Sequence, residues 1–255
     1  MFYSKQLNTE TWLRETEVIT APIFKEYWER EFGPISDSTI RGKLAQLTQK
    51  GKLRRIGTGE YRYVTENTIT SFSIVIQSKI LDRAVWYALG YKPFIKVCVW
   101  ETSIINNYSV HVPAVNFGVI EVEKELLELV YNHLNSSDYF GGKVFLDIDN
   151  PNFQRLGRNK DIEKRPILLK RMVGASPLQK NEEGYYHPKI EKLIVDLIVE
   201  QQNFQAYSGA DLKSILTHFY KSHPINEDTL NSYAKYRNAS IEVNDIIEHT
   251  LRNDR

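Results

Sequence analysis

The stretch Asp37–Val64, "DSTIRGKLAQLTQKGKLRRIGTGEYRYV", changes its hydrophobic period half-way along. In its first half Ile40, Leu44 and Leu47 recur at helical spacing, Ser36 to Ser38 are placed to cap the start, and Gly51 ends the run. Beyond Gly51, "LRRIG" and "EYRYV" alternate with the period of two that belongs to strands, joined by a tight turn around "TG". Upstream, Ile23, Phe24, Tyr27 and Trp28 mark the core face of another helix, with Pro22 early and Gly33 at its close. Helix, turn, helix and a two-stranded hairpin is the layout of a winged helix-turn-helix.

The same stretch segregates charge. Between residues 38 and 63 the cations Arg41, Lys43, Lys50, Lys52, Arg54, Arg55 and Arg62 stand against one acid, Glu60, whereas the whole chain carries a net charge of only +1. The remainder is therefore net acidic, and local clustering rather than overall basicity points to a polyanion. In such a fold the second helix enters the major groove, which makes Ser38, Thr39, Arg41, Gly42 and Lys43 candidates for base edges. Gln46 and Lys50 extend that exposed face. Lys52, Arg54, Arg55, Tyr61 and Arg62, on the wing and its approach, are candidates for phosphate contacts. Double-stranded DNA is the expected partner.

With 42% hydrophobic and 25% charged residues the chain has a globular composition, and 255 residues suit two or three domains. After the winged helix-turn-helix of residues 1–66, residues 67–180 read as a mixed α/β sheet domain. It comprises a helix at "SKILDRAVWYAL", strands at "FIKVCVW", "NFGVIEV", "KVFLDI" and "PILLKRMV", and the amphipathic "EKELLELVYNHL". Residues 181–255 read as a helical region packed on that domain. Ile190, Leu193, Ile194, Leu197 and Ile198 form one apolar stripe, and Leu212, Ile215, Leu216 and Phe219 form another. The expected class is α+β or α/β.

Chemistry is harder to place. Glu101, Glu121 and Glu123 with Lys124, and Asp147 and Asp149, all fall at predicted strand ends, where converging carboxylates and a lysine would make a metal-dependent nuclease the alternative reading. The spacing is wrong for that core, because Glu123 sits directly beside Lys124. Only His218 and His223 are close enough for half a zinc site, with surface positions the simpler expectation, and no phosphate or dinucleotide loop occurs. No cofactor, metal or catalytic residue is expected. Cys98, the lone cysteine, sits in an apolar run and reads as a small buried hydrophobe. A second basic stretch carries Arg155, Arg158, Lys160, Lys164, Arg165, Lys170 and Arg171 against Asp161 and Glu163. The start of the chain lacks a signal-peptide core and no apolar run approaches a membrane span, so a cytoplasmic protein without membrane contact is expected.

The ordered pieces resemble the type IV antitoxins of the abortive-infection (AbiEi-like) family. The resemblance starts with the stretch quoted above and continues through "CVWETSIINNYSVHVPAVNFGVIEVEKELLE", "PKIEKLIVDL", with Glu191, Lys192 and Asp196, and "PINEDTLNSYAKYR". It implies a non-enzymatic transcriptional repressor that binds repeats in its own promoter. The repressor antagonises a nucleotidyltransferase toxin encoded beside it, without a stable complex. Arg155, Arg158, Lys160, Lys164 and Arg165 are then the candidate antitoxin surface.

Overall fold

The computed structural model describes residues 2–49, 52–57, 59–64, 72–91 and 95–252. Its amino-terminal head runs α1 (Phe2–Glu15), β1 (Ile19–Thr20), α2 (Ala21–Phe32), α3 (Asp37–Gln49), β2 (Leu53–Gly57) and β3 (Glu60–Tyr63). The three strands order as β1-β3-β2, all antiparallel. This is the winged helix-turn-helix that the change of period predicts. The two-residue β1 has no counterpart in the sequence reading, because two residues carry no periodicity. Thr20 ends β1 and caps α2, accepting from the Ile23 amide, while Pro22 occupies the first turn where its missing N–H costs nothing. Gly33 closes α2 at φ 93°, and Gly59 takes φ 75° in the wing turn, both in the left-handed region that favours glycine.

Leu13, Ile19, Phe24, Tyr27, Ile40, Leu44 and Leu53 form the core of the head, roofed by Trp12 stacked on Tyr27 at 4.2 Å. Ile23, expected inward, is instead 41% exposed, since the buried stripe of α2 centres on Phe24 and Tyr27.

The body follows. It contains α4 (Lys79–Tyr91), β4 (Val97–Glu101), β5 (Gly118–Val122), α5 (Leu127–Asn135), β6 (Val144–Phe145), α6 (Pro151–Gly157) and β7 (Ile167–Arg171). Next come β8 (Leu178–Lys180), β9 (Tyr186–Pro188), α7 (Ile190–Val199), α8 (Gln201–Phe204), α9 (Ala210–Ser222), α10 (Glu227–Tyr236) and α11 (Ser240–Arg252). The sheet is mixed, in the order β6-β7-β5-β4-β9-β8. The expected boundary at residue 180 falls inside the β8–β9 hairpin, so the carboxyl-terminal region opens with a strand of the body's own sheet before turning helical.

Strand alternation sorts the two faces. Val97, Val99, Ile120, Val122, Ile167 and Leu169 pack with α4 and α5 on one side. Cys98, Trp100, Val119 and Leu168 pack with α7, α9, α10 and α11 on the other. The result is a helix, sheet, helix sandwich in which β4 and β5 are buried over their whole length.

Head and body meet along α9. Ser214 Oγ lies 3.4 Å from the Thr48 carbonyl at the end of α3, and His218 Nε2 lies 2.5 Å from the Leu53 carbonyl at the start of β2. His218 Nδ1 faces the Ser214 carbonyl at 2.8 Å, and His223 Nε2 meets the Tyr108 hydroxyl at 3.0 Å. Both histidines are buried, which corrects the surface positions expected for them. His218 serves the contact between head and body, where an unpaired Leu53 carbonyl would be costly, and His223 ties α9 to Tyr108 within the body.

Candidate functional site

The exposed face of α3 is built from its amino-terminal end. Ser36 caps the helix, accepting from the Thr39 amide at 3.2 Å, and its hydroxyl also bonds those of Ser38 and Thr39. Ile40 and Leu44 anchor the opposite side in the head's core, which leaves Ser38, Thr39, Arg41, Gly42 and Gln46 in solvent. Lys43 is half-buried, its ammonium lying 3.9 Å from the centre of the Trp28 ring, which takes it partly out of the exposed set. Asp37 pairs with Lys25 at 2.7 Å, and this bond first, with the Arg41 field adding to it, holds its carboxyl below the usual range.

The wing candidates divide. Arg62 is exposed on β3, with its Nε donating to the Glu17 carbonyl at 3.3 Å. Tyr61, on the alternate face, packs against the head's core, and Lys52, whose side chain is still partly exposed, lies 3.6 Å from Glu10. Glu10 also accepts from the Tyr63 hydroxyl at 2.6 Å, the main reason its carboxyl sits low. Lys50 lies outside the described residues, and of Arg54 and Arg55 only the backbone is described, facing Arg62 and Tyr61 across the β2–β3 ladder.

The second basic stretch also divides. Arg155, Arg158, Lys160 and Lys164 are exposed around the end of α6 and the following loop. Lys164 pairs with Asp161 at 3.3 Å, and Arg165 Nε donates to the Asn159 carbonyl. Lys170, in contrast, points inward from β7.

It points into a cluster that local sequence pattern does not reveal. Strand alternation places Glu121 of β5 and Lys170 of β7 on the α7 face, where α7 sets Lys192 and Asp196 one turn apart. Lys192 lies 2.8 Å from Glu121 and bonds Asp196; Lys170 bonds Glu200; Arg237, at the end of α10, reaches Asp196 at 2.6 Å and Glu200 at 3.1 Å. The Tyr233 hydroxyl donates to Asp196 at 2.9 Å and the Trp100 indole N–H to Glu121 at 3.4 Å. Lys170, Lys192 and Arg237 thus offset Glu121, Asp196 and Glu200, while Glu121 Oε2 has no partner.

Burial alone would drive Lys192 down, but Asp196 and Glu121 beside it raise its pKa well above the ordinary value. The same burial pushes Asp196 up, and the three cations overcome it to leave the carboxyl low. Cys98 is fully buried, as expected, and burial followed by the Glu121 charge pushes its thiol well up.

The carboxylates considered for a nuclease are not brought together. Glu101 lies on the α4 face and accepts from the Gln77 and Ser78 amides ahead of α4, whereas Glu121 lies on the α7 face. Lys124 starts a short turn past the end of β5, and Asp147 and Asp149 are in an exposed loop. Among the described residues no group of three or more His, Cys, Asp or Glu is arranged to hold a metal ion, and no helix is long and apolar enough to cross a membrane.

A match to a family of unknown function, DUF6577, covers residues 39–253, from the first turn of α3 to the end of α11. The chain belongs to DUF6577. The DUF6577 region therefore takes in the exposed face of α3, the wing and the whole ion network. No curated protein matches the chain.

The network is the feature that sequence reasoning missed. Lys192 and Asp196 four residues apart look like an ordinary surface pair. They fall with Glu200 on one side of α7, opposite Ile190, Ile194 and Leu197, so the helix reads as amphipathic, and only the packing, which buries Ile190 to Ile198 throughout, shows that its polar side is enclosed.

Proposed function

We propose that this protein is a DNA-binding transcriptional repressor whose head docks α3 in the major groove, and that it acts as the antitoxin against a nucleotidyltransferase toxin. The observation that carries the DNA half is the pairing of a β1-β3-β2 winged-helix sheet with a face of α3 that the fold leaves in solvent. Arg41 on α3 and Arg62 on the wing are exposed, and Asp37, the acid at the helix start, is engaged by Lys25. The antitoxin half rests on the resemblance to the abortive-infection family, with Arg155, Arg158, Lys160 and Lys164 as its exposed cationic surface. The middle of the chain is read as non-enzymatic scaffold.

The test is titration of the full chain with duplex DNA from upstream of its gene over a range of salt. Expected is sequence-selective binding whose affinity falls by orders of magnitude between low and high salt, because each phosphate contact releases counterions. Salt-independent binding, or no binding to upstream duplex, ends the reading. Co-expression with the neighbouring toxin tests the second half: rescue should be lost when Arg158, Lys160 and Lys164 are reversed in charge in a protein that still melts normally.

A further inference from the structure

Gly42 occupies the middle of the exposed face of α3. At about 100° per residue, Ser38 and Gln46 fall within about 40° of it, while Arg41 and Lys43 lie about 100° to either side. An added Cβ at Gly42 would meet nothing within 4 Å, so packing inside the protein does not require glycine there. A glycine inside a helix also weakens it relative to alanine. The missing side chain leaves the helix backbone open to close approach from outside.

The side chains around it differ in what remains available. The Ser38 and Thr39 hydroxyls are tied to Ser36 at 2.9 and 2.8 Å. Lys43 leans on Trp28, and Arg41 stands on the flank nearest Thr48, where α3 meets α9. Gln46 is exposed near the centre of the face, with no hydrogen bond to its amide among the described residues. An amide offers one donor and one acceptor side by side, the pair that matches N7 and N6 of adenine in the major groove.

Resting on the DNA-binding reading above, we infer that Gln46 reads one adenine of the operator through both amide atoms, and that Gly42 seats the helix deeply enough for it to reach. Arg41 then grips the backbone rather than a guanine edge.

The experiment is selection of the full chain against a pool of randomised duplexes, followed by affinities for the selected duplex and its single-base variants. The wild type should retain an adenine at one position and lose at least about tenfold when it is replaced. Gln46→Ala should lose that preference with an unchanged salt slope, and Gln46→Glu should move it to cytosine, whose N4 amine donates to a carboxylate. Gly42→Ala should melt no lower than the wild type yet bind every duplex about tenfold or more weakly. If both Gln46 variants keep the adenine preference, or Gly42→Ala binds as the wild type, the inference is overturned while DNA binding stands. If the wild type selects no duplex, the DNA-binding reading fails and takes the inference with it.

Discussion

On the head, Arg41 and Arg62 stand in solvent and the acid nearest α3, Asp37, is taken up by Lys25. In the body, Lys170, Lys192 and Arg237 are enclosed against Glu121, Asp196 and Glu200, with the Lys192 side chain fully buried. Removing a cation from water is expensive, so a fold tolerates it only where carboxylates of matching number come with it. The pairing that makes the body's cations affordable also cancels their field outside. Cations on the head keep their hydration and counterions, which is the state from which binding a polyanion gains free energy by ion release. Lysine and arginine thus hold the body together in one place and stay in solvent in the other.

The largest effect expected from breaking this contrast is at Lys192. Lys192→Ala leaves Glu121 and Asp196 buried without their shared cation, at a cost of about 3–5 kcal/mol. Urea denaturation should place the variant near the edge of folding, whereas Arg41→Ala should change stability by no more than about 0.5 kcal/mol. Removing one pair together, with Lys192→Met and Glu121→Leu, should recover part of the loss, because Lys170 and Arg237 then still balance Asp196 and Glu200. Equal stability of Lys192→Ala and Arg41→Ala would show that the body's cations are no more deeply committed than the head's.

Next in size is the response to acid. Asp196 is held below the ordinary carboxylate range in the folded protein, so it contributes stability above its unfolded pKa of about 3.9, and that contribution is lost as pH falls through the lower folded value. Thermal melts from neutral pH downward should therefore lose stability below about pH 4, with a slope for this single group of at most about 1.4 kcal/mol per pH unit. Asp37 is also low, but it is fully exposed and its pairing with Lys25 is screened by solvent. Asp37→Asn should leave the acid limb unchanged, and an Asp37 effect as large as that of Asp196→Asn would dissolve the distinction between exposed and buried pairs.

These two regions were not equally legible. The head announces itself because its information is local: apolar residues at Ile40, Leu44 and Leu47, a capping serine, and then a switch to alternation in "EYRYV". The exposed face of α3 follows as the complement of its buried one. The body's strands were also readable, since β4, β5 and β7 are dominated by apolar residues, Val97 to Trp100, Val119 with Ile120, and Ile167 to Leu169. The ion network was hidden because its members come from β5, β7, α7 and α10, and charge gives no periodic sign of burial. Glu121 and Lys170 look like strand-end polar residues until strand pairing puts both on the α7 face. The same distance in sequence concealed the role of His218, whose partner Leu53 lies 165 residues away.

The smallest effect, at Ser36, tests whether head and body respond as one. Its hydroxyl caps α3 through the Thr39 amide, so Ser36→Ala should cost about 1 kcal/mol, the usual loss for an amino-terminal cap. Where that cost appears depends on the contact along α9. His218 holds the Leu53 carbonyl at the start of the wing, and Ser214 Oγ, which donates to the Tyr108 carbonyl at 2.9 Å, lies 3.4 Å from that of Thr48 at the end of α3, so opening the head exposes buried polar groups on both sides. If this contact couples them, the loss registers in the single global unfolding transition, with the denaturant slope unchanged and all four tryptophans, Trp12 and Trp28 in the head and Trp86 and Trp100 in the body, reporting one midpoint. If the head opens independently, Ser36→Ala lowers an early transition seen by the head tryptophans alone and leaves the Trp100 midpoint in place. Single-tryptophan variants with the other three replaced by phenylalanine separate the two cases. The hydrogen bonds from α9 predict the first, and with it that changes confined to the body shift how firmly α3 is held.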